Sequence, residues 1–245
     1  MPESYQKTIQ VMEPECDYQQ RIFLSQLMRH SQEISSEHLL HKGIDYNQMY
    51  RDGMVFLVNK LLMKLTRRPT FGEQVVVTTI PRQPKGAQFI RDTYFDTPQG
   101  ERLAEVSISW MLIDPATRKI LRPAAFEVYG FEMYPNEGEY TTHYRITRPQ
   151  GMATTHLRQI KYTDLDYNHH VNNAVYADIV CDILPERLML KREPRQFGIL
   201  FEREAKLGQI VEMETVPFQR PEGEEGFYVG GQVNGGPCFQ AELIF

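Results

Sequence analysis

Two rhythms of apolar and polar residues alternate along the chain. From about Tyr18 to His41 the apolar positions return at helical spacing: Phe23, Leu27, His30 and Ile34 share one face, widened by Ile22, Leu24 and Met28. Asp17 stands where an N-cap is expected and Gly43 where a helix should end. A second helical stretch runs from about Asn172 to Leu184, with Val175, Tyr176, Ile179, Val180 and Ile183 as its buried face. Asn172 or Asn173 can cap it, and Pro185 should break or restart it.

After each helix the period drops to two. In the first half the predicted strands are about Met54–Thr66, Gln74–Gln83, Gln88–Thr97 and Leu103–Asp114; in the last, Val106, Ile108, Trp110 and Leu112 alternate with Ser107, Ser109 and Met111. In the second half they are about Gln196–Leu207, Gln209–Gln219, Gly226–Val233 and Phe239–Phe245, with turn residues such as Asn234-Gly235-Gly236-Pro237 between them. The order of short strand, long buried helix and about four strands therefore occurs twice, as an architectural repeat without a visible sequence repeat. The expectation is an α+β fold in which two long buried helices are each wrapped by antiparallel strands, the two units sharing one extended sheet. The expected units are residues 1–122 and 151–245, joined by a linker over 123–150 that contains Pro135, Asn136, Gly138 and Pro149.

Composition narrows the classes. The 245 residues are 41% hydrophobic and 24% charged, with a formal net charge of -5, which argues against wholesale nucleic-acid binding. Cys16, Cys181 and Cys238 lie far apart with no Cys-x-x-Cys pair, which fits a reducing compartment and neither a disulfide framework nor a cysteine-rich zinc site. No run of about 18 apolar residues suggests a membrane span. The opening Met-Pro-Glu-Ser-Tyr-Gln-Lys lacks the features of a signal or transit peptide, so the cytoplasm is the expected location.

The densest cluster of chemistry is Tyr162-Thr-Asp-Leu-Asp-Tyr-Asn-His-His-Val-Asn-Asn173, just before the second helix. A helix start offers free N–H groups and partial positive charge, suited to a polarised carbonyl, and neighbouring imidazole, amide and carboxylate groups can hold a water. Asp, Asn and His also serve turns and caps, and for Asp164 and Asn172 that plainer role is favoured. His169 and His170 are sequence neighbours and no His-Glu-x-x-His pattern occurs, so neither a metal nor another cofactor is expected.

Asp166-x-Asn168-x-His170-Val171-Asn172-Asn173, followed by Tyr176, resembles the signature of the acyl-acyl-carrier-protein thioesterases, enzymes with a double-hotdog fold. Arg67-Arg68-Pro69-Thr70-Phe71-Gly72-Glu73 and Arg91-Asp92 resemble further parts of that family, so the likeness covers most of the chain. It implies hydrolysis of acyl thioesters to free fatty acid, with acyl carrier protein as an acidic partner. The implied catalytic network is Asp166, Asn168, His170 and a glutamate on the next strand, matched here by Glu204. Where plant members follow this glutamate with a cysteine, this chain has Ala205. By alternation alone Glu202, Arg203 and Glu204 would read as a solvated charge cluster. Asn172, Asn173, Met28, Met54, Phe56 and Trp110 are candidate substrate-binding residues, the last four through an acyl slot in a first unit that has lost its chemistry. Lys64, Arg67, Arg68, Arg82, Lys85, Arg91, Arg118, Lys119 and Arg122 concentrate positive charge in the first half and are candidates for a docking patch or for a solvated mixed-charge surface. The competing readings are an acyl-CoA thioesterase and a non-catalytic acyl-binding module. With two units in one chain, either a monomer or a homodimer is expected.

Overall fold

The computed structural model describes residues 1–136, 143–221 and 223–245. The first unit contains β1 (Tyr5–Gln10), α1 (Leu24–His41), α2 (Tyr46–Arg51), β2 (Val55–Leu65), β3 (Gln74–Lys85), β4 (Gln88–Asp96) and β5 (Arg102–Ile113). The second contains β6 (Thr154–Gln159), α3 (Val175–Ile183), α4 (Glu186–Lys191), β7 (Gln196–Phe201), β8 (Ile210–Gln219), β9 (Glu225–Val233) and β10 (Gly236–Ile244). All ten strands join one sheet in the order β1-β3-β4-β5-β2-β7-β10-β9-β8-β6. Each half has the same internal order, and every recorded strand pairing is antiparallel. The halves meet where β2 pairs with β7, from Lys60 opposite Leu200 to Lys64 opposite Gln196. This is the α+β double hotdog.

Alternation decides which face of each strand meets the helices. In β3, Val75, Val77 and Thr79 are buried while Val76, Thr78 and Ile80 are half-buried. One core of aliphatic and aromatic side chains runs through both units and includes Leu27 and Ile34 of α1 together with Ile179 and Val180 of α3. A smaller cluster, with Met49, Met54, Phe89, Leu112 and Phe126, closes the outer end of the first unit beneath a 3-10 segment over Pro123–Tyr129.

The second helix and the last strand start within about three residues of expectation, at Val175 and Gly236, and two other boundaries differ by more. The first helix begins at Leu24, not near Tyr18, because Asp17 caps a tight turn: its Oδ1 accepts the N–H groups of Gln19 at 2.8 Å and Arg21 at 3.1 Å. Strand β7 stops at Phe201, short of the predicted Leu207. The N–H groups of Glu202 and Arg203 both donate to the Cys238 carbonyl, at 2.9 and 3.0 Å, so the ladder loses register there and the chain turns away. Glu204 is therefore on a loop. Pro185 does separate α3 from α4 as its sequence position required.

Across the back of the second unit, Tyr144 donates its hydroxyl proton to Glu242 Oε1 at 2.7 Å. The ring lies so close over Gly198 that a Cβ there would come within 1.9 Å of the Tyr144 oxygen. A glycine in the middle of β7 is thus required by what packs on it.

Candidate active site

The loop before α3 is built by short hydrogen bonds. Asp164, buried, closes a 3-10 turn by accepting the Lys161 N–H at 2.8 Å and pairs with Arg158 at 2.7 Å. Asp166 Oδ1 accepts the N–H of Asn168 at 2.8 Å and of His170 at 3.4 Å, and its own N–H donates to the His170 carbonyl at 2.9 Å. His169 takes φ +65 at the tip of this turn. Asp166 therefore orders the loop through its backbone. One residue further on, the Val171 N–H donates to the Ala205 carbonyl at 3.0 Å. That bond ties the two segments together next to His170 and Glu204.

His170 Nε2 lies 3.1 Å from Glu204 Oε2, with the side chains 19% and 33% exposed, so water reaches both. Arg118, from the turn after β5 in the first unit, forks onto the same carboxylate: Nη1 to Oε1 at 3.1 Å and Nη2 to Oε2 at 3.0 Å. This pairing raises the Arg118 pKa above its ordinary value, chiefly through the hydrogen bond. A carboxylate held by a guanidinium only accepts hydrogen bonds, so His170 donates from Nε2 and leaves the Nδ1 lone pair open. The arrangement matches imidazole oriented by a carboxylate, the chemistry of a general base.

The other candidates fall in different places. Asn168 is exposed beside the turn. Asn172 spends its side-chain oxygen on the Ala174 N–H at 2.9 Å, and Asn173 is half-buried next to it. Phe56 and Trp110 line an apolar cavity of about 70 Å³ in the first unit, together with Leu39, Phe89, Phe126 and Phe131. Met54 belongs to the small aromatic cluster nearby, whereas Met28 is fully buried in the main core. Of the cations considered for docking, Arg68, Arg82 and Arg91 are buried and cannot steer a partner.

No cysteine stands ready as a nucleophile. Ala205 is fully buried. Burial pushes the Cys181 thiol up to about 12, and Cys238, also raised by burial, donates to the Arg203 carbonyl at 3.1 Å. Among the described residues no group of three or more His, Cys, Asp or Glu side chains could hold a metal ion.

The turn that carries His170 has a counterpart in the first unit. Asp17-Tyr18-Gln19-Gln20-Arg21-Ile22 folds as Asp166-Tyr167-Asn168-His169-His170-Val171 does, with Gln20 at φ +61. Cys16 bridges Ile22 as Leu165 bridges Val171. The Ile22 N–H donates to the Pro69 carbonyl at 2.9 Å, as Val171 does to Ala205. Arg21 thus occupies the place of His170, and Arg68 that of Glu204. Both arginines face Glu193 of the second unit, and Arg68 also holds Asp17 at 2.8 Å. The turn is thus repeated in structure. The shared Asp-Tyr and the aliphatic residue four positions after the Tyr were its only visible trace.

The comparisons with known proteins agree with this architecture. The family model for the acyl-ACP thioesterase N-terminal domain matches residues 2–125, and that for the acyl-ACP thioesterase C-terminal domain matches residues 147–233. A chloroplastic palmitoyl-acyl carrier protein thioesterase of Arabidopsis thaliana is 22% identical over 204 residues, covering 77% of this chain and 49% of that protein. This chain spans about half the length of the curated relatives it matches. The crystal structure of an acyl-ACP thioesterase from Bacteroides thetaiotaomicron superposes with a TM-score of 0.83 at 20% identity, covering 99% of this chain and 97% of that one. A 12:0-ACP thioesterase from Umbellularia californica gives 0.82 at 18% identity, covering 98% and 96%. At such identities the structural likeness shows the fold. The two family models, met in chain order along most of the sequence, show that this chain belongs to the acyl-ACP thioesterase family.

Proposed function

We propose that the protein hydrolyses long acyl thioesters carried on acyl carrier protein and releases free fatty acid. The observation that carries this reading is the His170–Glu204 contact at 3.1 Å, anchored by the Arg118 fork, in a family of thioesterases. His170 Nδ1 takes a proton from water as the oxygen attacks the thioester carbonyl. Glu204 steadies the imidazolium through Nε2. Collapse of the tetrahedral intermediate breaks the C–S bond, and the proton passes from His170 to the leaving sulfur. The exposed amide of Asn168 is the candidate donor to the oxyanion, and Asp166 holds the turn that carries both residues. The fork favours His170 as the base, because Glu204 already spends both oxygens on Arg118.

In this reading residues 1–122 hold the acyl chain, residues 151–245 perform the chemistry, and 123–150 link them, a stretch in which 137–142, Gly138 among them, lie outside the described residues. The cavity beside Phe56 and Trp110 supports the first role. Arg118 and exposed Lys119 put positive charge next to the site, suited to an acidic carrier. All three cysteines are free, which supports the reducing cytoplasm as its location, and no helix of the described residues is long and apolar enough to cross a membrane.

The test is to incubate the protein with carrier-protein and CoA thioesters of several chain lengths and measure the free acid by mass spectrometry. Faster release from the carrier protein supports the proposal. Release mainly from CoA moves the enzyme to the acyl-CoA reading, and no release by folded protein leaves only an acyl-binding role.

A further inference from the structure

Two arginines, Arg82 and Arg91, are part of the wall of the cavity in the first unit, and of these Arg91 is out of keeping with an alkyl chain. The residue is only 7% exposed. Its Nη1 donates to His38 Nδ1 at 3.2 Å and to Thr79 Oγ1 at 3.3 Å, and the guanidinium carbon lies 5.8 Å from the centre of the Phe131 ring. Among the described residues no carboxylate pairs with it. The other two buried arginines contrast with it, since Arg68 holds Asp17 and Glu193, and Arg82 holds Asp92 at 2.8 Å.

His38 does not neutralise this charge. Its Nδ1 must accept, because arginine has no acceptor to offer, so Nε2 carries the proton, and that buried nitrogen has no hydrogen-bond partner. Burial, with Arg91 and Lys42 beside it, pushes the His38 pKa down to about 4, so the ring stays neutral. Burial also lowers Arg91 to about 10, which still leaves it a cation at neutral pH. A buried cation without a counter-charge is costly, and a site that keeps one is suited to a ligand that brings the acceptor.

The apolar part of the lining, Leu39, Phe56, Phe89, Trp110, Phe126 and Phe131 among it, is suited to methylene groups. A space of about 70 Å³ admits the last few atoms of a chain rather than the whole of it. Helix α2 runs from the catalytic loop to this end of the unit. Tyr46 packs edge-on against Tyr167 at 5.7 Å, Met49 joins the cluster around Phe126, and Asp52 just past the helix accepts the Tyr129 hydroxyl at 2.6 Å.

We infer that the cavity receives the far end of an acyl chain bearing an oxygen acceptor, a carboxylate in preference to a hydroxyl, with Arg91 as its partner. The inference rests on the proposed acyl-thioester reading for how the chain arrives, and on the cavity alone for what its end must be.

The experiment compares plain, ω-hydroxy and ω-carboxy acyl thioesters of several chain lengths as substrates of the intact protein, the Arg91→Met and the Arg91→Lys variants. In parallel, calorimetry measures binding of the free α,ω-dicarboxylic acids against the matching monocarboxylic acids, which needs no turnover. The expected result is a preference of about tenfold or more for the oxygen-bearing tail, the scale of one hydrogen bond to a charged group. That preference should disappear in Arg91→Met and survive in part in Arg91→Lys. Melting temperatures check that the variants fold, and removing an unpaired buried charge should not lower them. Equal or better handling of plain alkyl chains by the intact protein overturns the inference, since water alone would then be filling the cavity, and it leaves the hydrolase reading untouched. Tight dicarboxylate binding without hydrolysis of any thioester would do the opposite.

Discussion

Arg118 and Glu204 stand 86 residues apart in sequence and meet as a two-point ion pair at 3.1 and 3.0 Å, with His170 on the same carboxylate. The first unit thereby contributes a group to a candidate site whose other members all belong to the second. The fork fixes the rotamer of Glu204, which in turn fixes the ring of His170. Arg118→Ala should lower kcat by about 10- to 100-fold, the worth of a charge-assisted hydrogen bond. Its KM should change much less, and Arg118→Lys should recover only part of the loss because an ammonium cannot fork. Steady-state kinetics on one acyl thioester separates these outcomes; an unchanged kcat in Arg118→Ala would remove the residue from the site.

His170→Ala and Glu204→Gln should each reduce kcat by roughly 10²- to 10⁴-fold, the usual range for a lost general base. Because the two act as a unit, the double variant should be about as slow as the worse single one. Full additivity would show that they act independently.

Replacing Cys16, Cys181 and Cys238 together by Ala or Ser should leave kcat within about threefold of the parent, since no thiol is activated. Iodoacetamide should be equally harmless to turnover. Loss of activity in the cysteine-free protein at an unchanged melting temperature would point to covalent thiol chemistry.

Gly198→Ala should destabilise the fold by about 1 to 3 kcal/mol, because the added Cβ meets the Tyr144 hydroxyl and displaces it from Glu242. Urea unfolding measures the loss. A Tyr144→Phe change in the same background should relieve only a small part of it, because the ring carbons Cζ and Cε1, at 2.4 and 2.5 Å from the Cβ position, remain.

His38 predicts how stability depends on pH. Its folded pKa, about 4, lies below the ordinary 6.5, so the unfolded chain binds this proton first. Its contribution is complete above about pH 6.5 and is lost as pH falls toward 4, with a slope of up to about 1.4 kcal/mol per pH unit. Replacement by Gln, which keeps an acceptor for Arg91, should flatten that part of the curve. Unfolding free energies measured between about pH 7 and pH 5 test this, and a His38→Gln curve parallel to the parent's would remove His38 as the cause.

The two helices, nearly all the strands and the doubled order of elements were legible in the sequence. Burial on one face writes a period of 3.6 or 2 into any segment, and those signals are local. The same locality explains the failures. Asp17 looked like a helix cap because capping and turn chemistry use the same side chain, and only the N–H groups of Gln19 and Arg21 show which it serves. Glu204 looked like a strand residue because alternation continues on paper past Phe201, whereas the Cys238 carbonyl takes two donors and ends the ladder. The sequence determined the fold class and the loop that carries His170, both written in neighbouring residues. Only the tertiary structure decided that Arg118 reaches Glu204, that Arg21 and Arg68 stand in the mirrored site, and that Arg91 lies buried without a carboxylate. Those relationships join residues from different strands and loops, and no pattern along the chain records where two distant side chains will meet.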